Sequence, residues 1–232
     1  MDERVDVLDE FGRPTAEVAW KSEAHRRGLW HRCFHCWVFG TEASGEPYLL
    51  VQRRAAEKDT WPGCLDVTAA GHLAAGEKPL RGGLRELEEE LGLRVDPERL
   101  IPLGSRRIEQ EIPGGCDREF HDVFLLFDPT PPQRMRLQAE EVEAVLSMSL
   151  DDAEALGESE SVPAVEYAGG RLSICGCGLR TSFLAPTTTS AGWRGRRAVF
   201  SPGRALARSS NPAPPRAAGR RGPPATLLPA RL

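Results

Sequence analysis

The chain reads as a mixed α/β domain followed by a basic tail. Three observations predict this. Short apolar, β-branched and aromatic runs stand on both sides of a single well-bounded helical segment at residues 79–91. No run approaches the ~18 apolar residues of a membrane-spanning helix. The charge divides sharply: residues 167–232 hold 11 Arg and no Lys, Asp or Glu, whereas residues 1–166 hold 19 basic and 34 acidic residues, so +11 follows −15. The net charge of −4 over 232 residues describes neither part, and with 40% hydrophobic residues the first part can bury a core.

Residues 1–29 read as a polar lead-in with a hairpin-like turn at Phe11-Gly12-Arg13-Pro14. Residues 30–39 are apolar and aromatic, a strand. Residues 40–47 make a loop and 48–53 a second strand, so the two predict a hairpin. Pro62 keeps the loop 58–63 out of helix. Residues 65–70 suit a short strand. The helix at 79–91 has Pro79 in its first turn and Gly92 at its C-terminal cap. Strands are expected at 100–108, 122–127 and 142–148, and a short helix at 150–157. Beyond residue 168 Gly, Pro, Ser, Ala and Arg dominate and no apolar periodicity survives, so disorder is expected from about residue 186. The organisation is then a lead-in at 1–29, a domain at 30–170 and a tail at 171–232.

Six cysteines in a chain of this length are too sparse for a disulfide scaffold. The N-terminal MDERVDVLDE is acidic and lacks the apolar stretch of a secretory signal. Both point to reduced thiols and a cytoplasmic location. The run Trp30-His31-Arg32-Cys33-Phe34-His35-Cys36 invites a zinc reading. Strand alternation, however, sends His31, Cys33 and His35 to one face and Cys36 to the other, and the spacing fits no common finger. The acidic domain is a poor nucleic-acid binder, since phosphates need positive neutralisation; the Arg-rich tail is the candidate for that.

The helix carries the chemistry. At ~100° per residue, Glu86, Glu89 and Glu90 share one arc of about 100°, while Leu80, Leu84, Leu87 and Leu91 form an apolar stripe elsewhere. Like charges three and four apart each cost about 0.2–0.5 kcal/mol, and Arg85 offsets only part of this. A divalent cation with oxygen ligands reverses the sign. A solvated acidic face is the competing reading.

The flanking residues decide between them. Gly71-His72-Leu73-Ala74-Ala75-Gly76-Glu77, seven residues, then Arg85-Glu86-Leu87-Glu88-Glu89-Glu90-Leu91-Gly92-Leu93 resembles the Nudix box, G-x5-E-x7-R-E-U-x-E-E-x-G-U with U aliphatic, at all nine specified positions. A chance match in such a chain is on the order of one in a million. The resemblance implies an α/β/α sandwich with a mixed sheet, and hydrolysis of a diphosphate linkage in a nucleoside diphosphate derivative or related diphosphate. It implies Mg²⁺ or Mn²⁺ held by Glu86, Glu89 and Glu90, with the Gly71 carbonyl as a further ligand, and places Glu77 and Arg85 as braces. Metal ions neutralise phosphate oxygens and acidify a water, whose proton a carboxylate removes. Glu89 is one such base; Glu140 or Glu141, before the strand at 142, is the other, as in family members that use a glutamate beyond the box.

Outside the box, Gln52-Arg53-Arg54, Lys58, Trp61-Pro62-Gly63, Gly71-His72 and Glu119-Phe120-His121-Asp122-Val123-Phe124 resemble the isopentenyl-diphosphate-isomerase-like branch of the family. Arg53, Lys58 and His72 then suit diphosphate binding, against a strand-end ion pair and a solvated loop Lys as the plain reading of the first two. Trp61 could stack on a base or an isoprenoid. His25, His31, His72 and Glu119 resemble part of the isomerase metal site. Two departures favour hydrolysis. The isomerases carry a catalytic Cys immediately before Gly-His, where this chain has Ala70, and their box is eroded, whereas this one keeps every carboxylate. The alternatives are an isomerase and a non-catalytic nucleotide-binding module. The related hydrolases close with a packed helix after a Tyr-x-x-Gly-like segment, here near residues 167–172, and this chain has no sequence for one.

Overall fold

The 12-residue strand β3 (Trp30–Thr41) is the spine of the molecule. In the computed structural model, which describes residues 2–155, 161–169 and 171–177, it pairs along one edge with β8 (Gly115–Phe127) in parallel, from Trp30↔Arg118 to Phe39↔Phe127. Its other edge is shared. β4 (Pro47–Arg54) takes residues 38–41 as the expected antiparallel hairpin, and β6 (Ala69–His72) takes residues 33–36. The edge therefore splits where β4 departs, and the short β5 (Leu65–Asp66) stays with β4. Beyond β4 come β9 (Val142–Ser149), β10 (Val162–Ala168) and β11 (Arg171–Cys177); β7 (Ile101–Ile112) flanks β8. Among the described residues the sheet is mixed, with β3–β8 its parallel pair.

The helix α2 spans Pro79–Leu91, as the sequence predicts. Gly92 takes the left-handed conformation (φ 70°), its N–H bonds the Glu88 carbonyl at 3.0 Å and the Leu93 N–H reaches Leu87, a glycine-closed helix end. Leu87 and Leu91 are fully buried against Phe34, Cys36 and Val38 of β3. Leu80 of the expected stripe is instead exposed, because it sits in the first turn. The opposite core layer, Phe39, Leu49, Val51, Leu125, Leu146 and Met148, receives α3 (Leu150–Ala155) through Leu150, Ala153 and Ala155. Helix, sheet and helix form the expected sandwich.

Gly83 shows how closely α2 lies on the sheet. A Cβ there would fall well inside contact distance of the Phe34 ring, which is itself fully buried. Glycine-to-alanine inside a helix normally gains about 1 kcal/mol. Here overpacking, typically about 1–3 kcal/mol, outweighs that gain. Gly83→Ala is therefore expected to lower the denaturation midpoint, and an unchanged or raised midpoint would contradict this packing.

Two expectations are extended. The lead-in at 1–29 holds its hairpin, β1 (Arg4–Leu8) and β2 (Pro14–Trp20) around the Phe11–Pro14 turn, and adds a helix, α1 (Lys21–Arg27). Its strands are short, yet Val5 and Val7 alternate into the core. The sheet also continues past residue 170, since β10 and β11 pair over seven positions. The compositional shift masks that hairpin, although its Gly-containing turn is a hairpin signal. The Tyr167–Leu172 pair lies inside it. The disorder expected from residue 186 lies outside the described residues, as does any RNA-binding role of the Arg-rich tail.

Candidate active site

A polar cavity of about 490 Å³ opens where β4 and β6 diverge. Glu86, Glu89 and Glu90 of α2 line it, with Gly71 and His72 of β6. The helical period that joins the three carboxylates on one arc thus delivers them to one wall. Arg85 braces that wall. Its Nη1 lies 2.9 Å from Glu86 Oε1 and 3.0 Å from Glu89 Oε2, its Nη2 donates to Glu77 Oε2 at 3.1 Å and to the His72 carbonyl at 3.2 Å, and its Nε donates to Glu77 Oε1 at 3.3 Å. Glu77 in turn accepts the Ala74 N–H at 3.1 Å, closing the loop between β6 and α2. A Cβ on Gly71 would meet the Glu86 carboxylate, so a larger residue there would push that carboxylate from its place beside Arg85.

Burial disfavours the charged form of two of these carboxylates. It pushes Glu86 up to about 7 against the pull of Arg85. It pushes Glu90 well above the ordinary range, and the neighbouring Glu86 adds to the effect. Glu90 Oε2 accepts only the Ala70 N–H at 3.2 Å and a long contact from Gln52 Nε2 at 3.5 Å. Two buried carboxylates side by side, with one arginine between them and the solvent-facing Glu89, fit a divalent cation. This fixes the sign of the pH dependence. Below about pH 7 a cation has to displace the Glu86 proton, so affinity is expected to fall about tenfold per pH unit per displaced proton, with the raised Glu90 steepening the fall. Mn²⁺ titrations across this range test it, and a flat profile would count against the assignment.

A second donor set reaches the same cavity through His72 and Glu119, with His25 and His31 behind them. His31 (β3), His72 (β6), Glu119 (β8) and His25 (α1) place ligand atoms within 4.8 Å of one another. Parallel register sets His31 beside Glu119, and β6 sets His72 beside Cys33. His72 Nε2 is 3.0 Å and His31 Nε2 3.4 Å from Glu119 Oε1; Asp117 Oδ1 is 3.5 Å from His25 Nε2. The Nε2 atoms of His25, His31 and His72 and Oδ1 of Asp117 are buried without an aligned hydrogen bond. His31 Nδ1 meets the Leu29 carbonyl at 3.0 Å, which leaves its Nε2 lone pair for the nest. Burial holds His25 down at about 4, with His31 adding to it, and His72 at about 3 despite the pull of Glu119. Burial and Glu119 push Asp117 up to about 7. Burial alone would raise Glu119, but His121 and the other imidazoles outweigh it and hold the carboxyl well below its usual range. Against its burial, Glu119 and the Leu29 carbonyl hold His31 above its usual value, so a cation here would take the place of that proton among His25, His31, His72 and the ionised Glu119. The cysteines of the Trp30–Cys36 run are not part of this set: Cys36 joins the core, as alternation requires, and Cys33 donates to Glu119 at 3.0 Å.

The remaining expected residues divide. Lys58 lines the cavity and pairs with Glu141, which lines it too, beside Glu140. Arg53 does not. It turns to Glu166, 2.7 Å away, on the other face of β4. Side chains alternate along a strand, so one of the two consecutive arginines faces the cavity, and it is Arg54. Arg54 donates to Asp66 at 2.9 Å and grips the Thr60 carbonyl through Nε and Nη2 at 3.2 and 3.0 Å. Lys21, Asp117, His35 and His121 also go beyond the sequence reading. The alternation Asp117, Glu119, His121 was readable as one strand face. The partner strand that gives it meaning lies far off in sequence.

A family model described as NUDIX domain matches residues 29–167. An uncharacterised Nudix hydrolase of Clostridium acetobutylicum is 36% identical over 65% of this chain and 72% of its own length. Nudix hydrolase 3 of Arabidopsis thaliana is 38% identical over 62% of this chain and 19% of its own, longer sequence. The isopentenyl-diphosphate Delta-isomerase of Streptomyces griseus is 32% identical over 71% of this chain and 73% of its own. A crystal structure from Deinococcus radiodurans superposes with a TM-score of 0.52 at 21% identity, covering 66% of this chain and 87% of that one, and so shares the fold.

Proposed function

Since the chain belongs to the NUDIX domain family and is a hydrolase acting on diphosphate bonds, we propose that it is a divalent-metal-dependent pyrophosphohydrolase of a small polar diphosphate, a nucleoside or sugar derivative rather than an isoprenoid. One observation carries this reading. Among the described residues, eleven carboxylates but only four cations, Lys21, Arg54, Lys58 and Arg85, line the cavity. A polyanionic diphosphate enters such a site only together with multivalent cations. Glu86, Glu89, Glu90 and the Gly71 carbonyl would hold Mg²⁺ or Mn²⁺. When bound, such an ion supplies charge neutralisation at the phosphate oxygens and acidifies water. The protein supplies the rest. Lys58 and Arg54 grip the diphosphate, while His72, expected beside them, turns its Nε2 to Glu119 and serves the nest. Glu89 on α2 or Glu141 before β9 removes the proton from the attacking water.

The cavity wall also speaks to the organic part. Trp61, Cys33, Ala70 and Gly71 are its nonpolar lining, and among the described residues no aliphatic side chain larger than alanine faces it. A prenyl chain would gain little there, at roughly 25 cal/mol per Å² of apolar surface buried. Trp61 offers one aromatic face, suited to a base. Cys33, Cys36, Cys64 and Cys116 are free thiols, in keeping with a reducing compartment. Among the described residues no helix is long and apolar enough to cross a membrane.

The isomerase reading is favoured by the histidine nest and opposed by Ala70, which lines the cavity with a methyl group that moves no proton. A panel of nucleoside di- and triphosphates, sugar nucleotides and isopentenyl diphosphate, with products identified by mass, separates the two. We expect cation-dependent cleavage of a polar diphosphate and no change in isopentenyl diphosphate. Isomerisation without loss of phosphate, or binding without cleavage by folded protein, would replace the reading.

A further inference from the structure

Glu119 meets the histidine nest with one oxygen. Its Oε1 faces His31 and His72 and accepts from Cys33 Sγ. Its Oε2 points the other way, 2.5 Å from His121 Nε2. His121 is fully buried, and its Nδ1 lies 3.1 Å from Arg106 Nε. An arginine nitrogen only donates, so Nδ1 of His121 is the acceptor and its ring proton sits on Nε2, donated to Glu119. His35 stacks on the His121 ring, with centroids 3.8 Å apart and planes 21° apart. Ligand atoms of His35, His121 and Glu119 also come within 4.8 Å of one another. Two nearly parallel rings stacked so closely cannot both hold one ion in their planes. The trio is therefore built as a support.

We propose that Arg106 and His121 are positioning residues for the histidine nest: through one hydrogen-bonded line they fix the Glu119 carboxylate so that a single oxygen, Oε1, is presented to a cation bound by His25, His31 and His72. This rests on the reading of the nest as a cation site. The strand register builds the line directly. His72, Cys33, His121 and Arg106 stand side by side across β6, β3, β8 and β7, with His31 and Glu119 paired in the row one step away. Without the line, Glu119 would be free to swing and the ligand set would lose its shape. Loss of such an outer hydrogen bond typically weakens metal binding about 10- to 100-fold.

The test titrates the full chain with Co²⁺ alone and follows its visible absorption. His72→Ala identifies the bands that belong to the nest. His121→Ala is expected to weaken those bands' affinity about 10- to 100-fold and to shift them, reporting a changed ligand field. Arg106→Met lies on β7, which pairs only with β8 among the described strands, and removes the donor to His121 Nδ1 while filling much of the same space. It is expected to act in the same direction, and it keeps the test decisive should His121→Ala fail to fold. If His72→Ala loses the nest bands while Arg106→Met and folded His121→Ala keep wild-type affinity and spectrum, the positioning role is overturned and the nest stands. If His72→Ala titrates like the wild type, the nest takes no cation and both readings fall.

Discussion

Glu90→Gln is expected to leave the protein folded and to cut turnover by about a thousandfold or more. The fold tolerates it because the two side chains have the same shape, and a Gln oxygen can still accept the Ala70 N–H that Glu90 receives at 3.2 Å. Glu90 is only 3% exposed and stands beside Glu86, so the change also removes a buried like-charge contact. Metal-free stability should hold or rise. The catalytic loss comes from the cation site, where charge stabilisation of several kcal/mol depends on the full set of carboxylates; each ~1.4 kcal/mol is a factor of ten in rate. Initial rates at saturating Mg²⁺, measured beside thermal unfolding, check both halves. Turnover within tenfold of wild type would remove Glu90 from the site.

The second large effect concerns the consecutive arginines of β4. Arg54→Ala is expected to destabilise the protein by about 3–5 kcal/mol, because it strands a buried charge. Asp66, its partner, has a side chain only 2% exposed, and the Arg54 side chain is 11% exposed. Arg53→Ala breaks a pair with Glu166 that is 28% and 21% exposed, and should cost no more than about 1 kcal/mol. Denaturant midpoints at matched slope compare them. Equal losses would mean that the two residues share the same environment.

These arginines also show where the sequence stops being informative. A helix announces its own faces, since Pro79, Gly92 and the leucine stripe set the period, and Glu86, Glu89 and Glu90 fall into place with it. A strand announces alternation but not which parity points inward. That choice between Arg53 and Arg54 is made by β5 and β9 pairing with β4. The resemblance named all four residues of the nest, His25, His31, His72 and Glu119, but strand alternation by itself made only half of it legible. His31, Cys33 and His35 could be placed on one face, and Asp117, Glu119 and His121 on another. Only tertiary register brings the two faces together and adds His25 from α1. The β10–β11 hairpin was hidden by the Arg-, Pro- and Gly-rich composition of the residues after Cys177.

The long parallel ladder has a kinetic consequence. Contacts such as Cys33 to Glu119 join residues 86 positions apart, whereas the β3–β4 hairpin closes over a few residues. Distant pairings form slowly, because the entropy of closing the intervening chain must be met before any contact rewards it. On refolding, α2 and the local hairpins are expected to appear first. The cavity exists only once β8 has docked on β3, so the ability to capture ions at the nest should arrive with the slowest phase instead of rising with helix content.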